Sequence, residues 1–260
     1  MKISSFAVLL AFLSLVSCGK SESSQRQKVP ISPEEITFLL ENQRIDCDSV
    51  SGGRCPEGLA KIFILNLRDR RDSHLCTGFL VTNNRLVTNH HCVATAEECA
   101  STFVSVYDGT STEHARCKSL VVAKDDGRRL SEKVVDYSVL ELDREFPAVE
   151  KFSAAAAKPG PQERLTAWVM DHYDGLSSRV TELECAVDNS SGPIELANCP
   201  VIQGNSGSPL LNSENKVVGV IWGTSAEDSV TAQMPLEARR ALDAHAYATD
   251  VDLFEPYFAE

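Results

Sequence analysis

The sequence predicts an all-β protein with a barrel architecture. Two observations support this. From Lys61 onward, short runs rich in β-branched and aromatic residues follow one another, and turn-forming residues separate them. The predicted strands cover residues 62–65, 78–81, 85–88, 103–107, 120–122, 137–142, 165–170, 180–186 and 216–222. Asn83-Asn84, between two of these strands, indicates a hairpin because asparagine tolerates positive φ.

The N-terminus predicts an export signal rather than part of the fold. Lys2 precedes an apolar run over residues 6–16, which is shorter than the about 20 residues that span a bilayer. We therefore interpret residues 1–17 as a signal peptide. Residues 15–18, Leu-Val-Ser-Cys, resemble the bacterial lipobox, which implies cleavage before Cys18 and its lipidation. Gly19 then resembles the outer-membrane sorting pattern, so the expected location is the bacterial envelope, anchored by lipid to the outer membrane.

Three further segments follow the signal peptide. Residues 18–32 carry the lipidated anchor and a polar, flexible linker, and residues 33–58 form an N-terminal extension. The extension opens with a helix, which Ser32 caps and Pro33 begins. Residues 59–260 form the main domain, in which residues 234–246 have the spacing of a short helix, with Ala238, Ala241, Leu242 and Ala246 on one side.

Composition and cysteine content exclude several classes of function. The net charge of −12 argues against a nucleic-acid partner, since phosphate binding needs a basic face. Apart from Cys18, eight cysteines remain, and an even number in an exported chain predicts four disulfides. The sequence contains no Cys-x2-Cys pair, which is the spacing typical of a zinc site. It also contains no motif that indicates an organic cofactor.

Two distant motifs carry the chemistry. Residues 204–209, Gly-Asn-Ser-Gly-Ser-Pro, place Ser206 in a tight turn, and residues 88–92 place His91 directly before Cys92. A serine hydroxyl becomes a nucleophile when a base takes its proton, and a carboxylate usually orients that base. Asp136 opens an apolar strand and is the candidate acid. These residue types predict a serine hydrolase.

These motifs, in the order His, Asp, Ser, resemble the trypsin/chymotrypsin-like serine peptidases from Leu59 to the C-terminus. The α/β-hydrolases differ in both order and turn, because they need Gly-x-Ser-x-Gly. The resemblance implies two six-stranded antiparallel β-barrels with a short C-terminal helix. It also implies a disulfide Cys76–Cys92, and the remaining cysteine order then suggests Cys47–Cys55, Cys99–Cys117 and Cys185–Cys199.

The resemblance assigns a role to each candidate. Ser206 is the nucleophile, His91 the base and Asp136 the acid, while the backbone N–H groups of Gly204 and Ser206 form the oxyanion hole. The primary substrate pocket is expected between two segments, made of Pro200, Val201, Ile202 and Gln203 and of Ile221, Trp222 and Gly223. Neither segment holds a carboxylate or a histidine, so we expect a small or apolar preference.

Each assignment has rivals in the sequence. His90 is adjacent to His91, and the alternative acids are Asp108, Asp125, Asp126 and Asp143. Asn205 stands where trypsin-like zymogens usually carry an aspartate that pairs with a new N-terminal amine. An uncharged amide cannot make that ion pair, so we expect no amine-dependent switch. Ser208, where the family more often has glycine, is not expected to be chemical.

The leading hypothesis is a monomeric, lipid-anchored serine endopeptidase that acts on protein or peptide substrates and touches the membrane through its N-terminal lipid. The alternative from another class is a catalytically silent trypsin-like domain that binds a peptide or an envelope protein. An esterase built on the same three residues is a third reading. Dependence of peptide turnover on Ser206 separates the first from the second, and relative rates on amides and esters separate the first from the third.

Overall fold

The computed structural model describes residues 32–47, 50, 54–66, 73–128, 135–173, 176–225, 233–242 and 244–259. The predicted signal peptide, Cys18 and the linker up to residue 31 lie outside the described residues. Within the described part of the chain, no helix combines the length and the apolar character needed to cross a membrane.

Thirteen strands and three short α-helices make up the described chain. The strands are β1 (Arg44–Asp46), β2 (Leu59–Ile64), β3 (His74–Leu80), β4 (Arg85–Thr88), β5 (Thr102–Tyr107), β6 (Thr112–Asp125), β7 (Asp136–Leu142), β8 (Arg164–His172), β9 (Ser177–Asn189), β10 (Ile194–Ala197), β11 (Pro209–Leu211), β12 (Val217–Thr224) and β13 (Ala246–Asp250). The helices are α1 (Pro33–Glu41), α2 (Ala96–Ala100) and α3 (Leu236–Arg240), and two 3₁₀ turns, Val251–Leu253 and Glu255–Phe258, end the chain.

The strands close into two antiparallel barrels of six strands, as expected. The first barrel runs β2-β3-β4-β7-β6-β5. The second runs β8-β9-β10-β13-β12-β11 and closes because β9 also pairs with β8. Full closure leaves no exposed strand edges within either ring. The predicted all-β fold with two six-stranded barrels is therefore confirmed.

The two barrels pack against each other through a shared apolar core. Phe79 and Val139 of the first barrel belong to the same buried cluster as Met170 and Val220 of the second. Asp136 and Thr249 also meet across this contact, since the amide of Asp136 donates to Thr249 Oγ1 at 2.9 Å. Asp136 is therefore joined to the second barrel at the contact between the two barrels.

The N-terminal extension ties the barrels together from outside. In α1, Ser32 caps the helix by accepting from the amide of Glu35, and Ile36 and Leu39 pack on a cluster of the first barrel. β1 then pairs in parallel with β9 of the second barrel. One short segment thus contacts both halves of the molecule.

Four disulfides close local loops. They join Cys47 to Cys55, Cys76 to Cys92, Cys99 to Cys117 and Cys185 to Cys199, the same four pairs that the sequence suggested. Each constrains the unfolded chain and stabilises the fold by roughly 2–4 kcal/mol.

Two local expectations differ from the structure. The helix expected over residues 234–246 is limited to Leu236–Arg240, and Ala246 instead begins β13. The reason is tertiary: β13 pairs with both β10 and β12 and completes the second barrel, which outweighs a weakly apolar helical stripe. The Asn83-Asn84 hairpin does connect β3 to β4, but neither asparagine has positive φ. Thr82 Oγ1 instead accepts from the amides of Asn84 and Arg85.

Candidate active site

His91 and Asp136 form the central contact of the site. His91 follows β4, and Asp136 begins β7, the strand that pairs with β4. His91 Nδ1 lies 2.9 Å from Asp136 Oδ2, and the His91 amide donates to Oδ1 at 3.2 Å. An ionised carboxylate only accepts, so Nδ1 carries the ring proton and Nε2 keeps a lone pair. The imidazole is 41% exposed and the carboxylate 1%, which leaves the ring as the accessible partner.

The backbone of Asp136 is fixed on two sides. Its carbonyl accepts from Asn89 Nδ2 at 2.8 Å, and its amide donates to Thr249 Oγ1 at 2.9 Å. Asn89 lies two residues before His91, while Thr249 lies on β13 of the second barrel. Asp136 is therefore held by the segment that carries His91 and by the second barrel.

A series of contacts through Thr77 and Cys76 links Ser206 to the segment that carries His91. The carbonyl of Ser206 accepts from the amide of Thr77 at 2.7 Å. The preceding residue, Cys76, is bonded to Cys92, and a ring nitrogen of His91 lies within 4.8 Å of both sulfurs. Since these sulfurs are bonded to one another, they offer no thiolate to a metal.

No hydrogen bond joins Ser206 to His91, two residues that the structure describes fully. Such a bond is often long in a substrate-free site and tightens when substrate binds.

The turn around Ser206 depends on two glycines. Gly204 has φ of 93° and Gly207 has φ of 90°, in the left-handed region that other residues rarely adopt. A Cβ on Gly207 would lie 1.9 Å from the carbonyl oxygen of Thr77, and one on Gly204 would lie 2.7 Å from His172 Cδ2. Both positions exclude a side chain by conformation and by contact.

The amides of this turn divide into two sets. Asn205 donates to the carbonyl of Ile202, Gly207 to that of Ile221 and Ser208 to that of Asn205. Among the described residues, the N–H groups of Gly204 and Ser206 donate to no protein acceptor. Both residues are half-buried, so these two N–H groups beside one serine are accessible to an external acceptor.

A half-buried histidine supports the turn from behind. His172 Nε2 lies 3.2 Å from the carbonyl oxygen of Gly204, and Nδ1 lies 2.6 Å from Ser178 Oγ. A carbonyl only accepts, so Nε2 carries the proton and Ser178 donates to Nδ1. Burial, with a smaller effect of the Lys61 charge, lowers the pKa of His172 to about 3. This imidazole is therefore neutral at physiological pH.

The low pKa of His172 predicts an acid sensitivity. The unfolded chain takes up a proton at His172 near its ordinary pKa of 6.5, but the native chain does so only near 3. Between these values the unfolded state binds more protons, so the free energy of unfolding falls as pH falls, by up to about 1.4 kcal/mol per pH unit from this residue. Urea unfolding at several pH values between 3.5 and 6.5 should give a shallower pH slope for His172→Gln than for the native chain. Equal slopes would contradict this.

The rival residues bond elsewhere. His90 Nδ1 lies 3.7 Å from Asp125 Oδ2, at a partly exposed position. Each of the other candidate acids accepts from an amide outside the site: Asp108 from Thr110 and Ser111, Asp126 from Val135, and Asp143 from Arg116. The acid that the structure brings to His91 is Asp136.

Comparison with known proteins identifies the family of this chain. The profile of the trypsin-like peptidase domain family matches residues 76–220, which is more than half of the chain. The matched range contains His91, Asp136 and Ser206, together with strands from both barrels. The chain belongs to the trypsin-like peptidase family.

Two curated relatives are serine proteases of Mycobacterium tuberculosis, MT3772 of strain CDC 1551 / Oshkosh and Rv3671c of strain H37Rv. Each is 27% identical to this trypsin-like chain over 168 residues, covering 60% of this chain and 37% of the relative. The chain thus spans little more than a third of the length of these relatives.

The fold resembles that of a solved protease relative. The inactivated protease paralogue S-D1 of the scabies mite superposes with a TM-score of 0.54 at 14% identity, covering 78% of this chain and 92% of that one. An inactive serine-to-alanine mutant of Rv3671c gives a TM-score of 0.49 at 18% identity, covering 78% and 88%.

The segments expected to form the trypsin-like pocket are largely buried. Val201 and Ile221 belong to the core of the second barrel, and Ile202 packs with Tyr173 and Met234. Trp222 stacks on Tyr247, with ring centroids 5.4 Å apart. Of the seven residues, Pro200, Val201, Ile202, Ile221 and Trp222 are buried, Gly223 is half-buried and Gln203 is exposed.

Sequence reasoning missed four residues around this site. They are Asp171, His172, Arg239 and Thr249, all of which bond to the candidate residues or to their immediate supports. Asp171 offered one signal, a charged residue at the end of the apolar run over 165–170. The others lie in segments without any pattern that points to the site.

Proposed function

We propose that this chain is a serine endopeptidase that hydrolyses peptide bonds through an acyl-enzyme. Ser206 attacks the carbonyl carbon of the substrate while its proton passes to His91 Nε2. The tetrahedral intermediate collapses, His91 donates that proton to the leaving amine, and the acyl group stays on Ser206. Water then repeats the sequence, with His91 again as base, and releases the acid. Asp136 keeps the proton on Nδ1 and stabilises the imidazolium.

The observation that carries this proposal is the pattern of amide pairing in the turn. The N–H groups of Gly204 and Ser206 have no acceptor in the part of the chain that the structure describes, while the three other amides of residues 204–208 are paired. These two N–H groups would bind the oxyanion that develops on the carbonyl oxygen. Each such donor contributes roughly 3 kcal/mol to the stability of the transition state.

We further propose a small or apolar residue on the acyl side of the scissile bond. The segments expected to line the pocket hold no carboxylate and no cationic side chain, so a charged residue there would be buried without a partner.

Cleavage of a diverse peptide library tests the activity and the preference together. The native chain should cut internal bonds after small or apolar residues, and Ser206→Ala should cut none. Cleavage that persists in Ser206→Ala would reject the proposed mechanism. A folded, disulfide-bonded native chain that cuts nothing would favour the alternative of a silent peptide-binding domain.

Lipid anchoring is a separate proposal that rests on Cys18 and the lipobox-like residues before it. Cells that express the full chain with labelled palmitate should yield labelled protein in the membrane fraction, because acyl chains on one residue anchor a protein stably. Cys18→Ala should lose both the label and the membrane association. Label that persists in Cys18→Ala would reject this site.

A further inference from the structure

A fully buried ion pair lies behind the serine turn. Arg239 of α3 donates from both terminal nitrogens to Asp171 at the end of β8, with distances of 3.0 Å to Oδ1 and 2.5 Å to Oδ2. The side chains are 3% and 1% exposed. Thr181 Oγ1 also donates to Asp171 Oδ2 at 3.1 Å. A two-pronged contact of this kind fixes the carboxylate in position and orientation.

The pair is not optimised for stability. Arg239 Nε is buried and has no acceptor among the described residues. Well-packed apolar side chains often stabilise a core as well as a buried ion pair does. Stability alone is therefore a weak account of this pair, and its carboxylate also contacts a further group.

That group is Asn205, the neighbour of Ser206. Its side chain is fully buried, and its Nδ2 donates to the carbonyl of Met170 at 2.8 Å and to Asp171 Oδ1 at 3.4 Å. Its Oδ1 accepts from the amide of Ile202 at 2.8 Å. Both donors and the acceptor of the amide are thus used.

His172, the last residue of β8, contacts the other side of the turn. His172 donates to the carbonyl of Gly204, which also accepts from Thr77 Oγ1 at 3.1 Å. The peptide between Gly204 and Asn205 is therefore held from both ends. This peptide lies between the N–H groups of Gly204 and Ser206, so its orientation sets where those two groups lie.

We propose that Asp171 and Arg239 are positioning residues that lock the Gly204–Ser206 turn in its working conformation through Asn205. The inference rests on the proposed function of that turn as an oxyanion hole. Arg239 supplies a positive charge inside the fold, and this charge orders the turn through Asp171 and Asn205. Activity therefore does not require cleavage of the chain to create a new N-terminal amine.

Steady-state kinetics on the best library peptide test the lock. In Arg239→Met, Asp171 loses the two-pronged guanidinium contact that orients it. The value of kcat should then fall about 100-fold, as it does when one oxyanion donor is lost, while KM should change less than about threefold. Arg239→Lys keeps the charge but not the two-pronged contact, and should lose about tenfold. An unchanged kcat in both variants would overturn the proposal, as would a loss confined to KM.

A double-variant cycle separates positioning through Asn205 from general damage. If Arg239 acts through Asn205, Arg239→Met should cost no further kcat in an Asn205→Ala background. Losses that multiply would overturn the proposed route. Lys158→Met is the matched control, because it removes the cation that contacts another buried carboxylate, that of Asp250. The Asp250 side chain also accepts from the amide of Asp252. It should leave kcat within about twofold, as expected for residues without shared partners.

Hydrogen–deuterium exchange distinguishes failure of this inference from failure of the proposed function. Arg239→Lys and Arg239→Met should each speed exchange in the peptide covering residues 202–208, and Lys158→Met should not. This readout needs no turnover, so it tests the lock even if the native chain cuts no peptide. Unchanged exchange in both arginine variants would overturn the inference while leaving a Ser206-dependent activity intact.

Discussion

Replacing Ser206 by alanine is expected to abolish peptide hydrolysis, with kcat reduced on the order of a millionfold. In the proposed mechanism, the alanine removes the oxygen that forms the acyl-enzyme, while His91 and the turn amides remain. The fold should be unaffected, because the hydrogen bond that joins this residue to Thr77 uses the backbone carbonyl. Initial rates on one cleaved peptide, together with a thermal unfolding curve, measure both effects.

Ser208 provides a matched control for that variant. It lies two residues away, is fully buried, and its Oγ has no hydrogen-bond partner among the described residues. Ser208→Ala therefore removes a hydroxyl from the same turn without breaking a recorded contact, and should keep kcat within about twofold. A large loss in Ser208→Ala, or appreciable turnover by Ser206→Ala, would show that the nucleophile is assigned to the wrong serine.

The second large effect is expected for Asp136→Asn, with kcat lower by about 10⁴-fold. The amide that replaces the carboxylate can donate to His91 Nδ1, which favours the tautomer with the proton on Nε2. That tautomer cannot accept the proton of Ser206. The 2.9 Å contact and the 1% exposure of Asp136 mean that water cannot readily substitute for the lost oxygen.

Asp125→Asn is the control for this change. Asp125 lies 3.7 Å from His90, so the variant perturbs the neighbouring histidine in the same way. Its kcat should stay within about twofold of the native value, because exposed ion pairs contribute little. Comparable losses in both variants would mean that His90 and Asp125 share in the chemistry. An Asp136→Asn enzyme with native kcat would remove Asp136 from the mechanism.

The parts of the fold that could be predicted are those with a local pattern. Runs such as 62–65 and 137–142 are short and rich in β-branched, aromatic and other apolar residues, and they lie largely within β2 and β7. Strands β1, β10 and β11 have only three or four residues each, and β13 is alanine-rich. Strands β10, β11 and β13 pair because the second barrel closes, and β1 pairs with β9 from outside that barrel. Such long-range pairings are not contained in any short window of sequence.

The same distinction explains the site. His91, Asp136 and Ser206 lie in motifs whose order can be recognised along the chain, and the structure brings His91 to Asp136 as expected. Arg239 is 68 residues from Asp171, in a helix of five residues, and nothing near it indicates a buried partner. No sequence pattern points to His172 either, because its role follows from its contact with the carbonyl of Gly204. Supports of this kind become visible only when distant segments pack together.

Labelling with a fluorophosphonate, followed by peptide mapping, tests the central claim most directly. This reagent modifies a serine whose hydroxyl is activated by a neighbouring base and whose adduct is held by oxyanion donors. The account predicts one adduct per chain, located on Ser206, with labelling slowed at least about 1,000-fold in His91→Ala, where no base activates the hydroxyl. A folded chain that takes up no label, or carries it on a serine other than Ser206, would contradict the account.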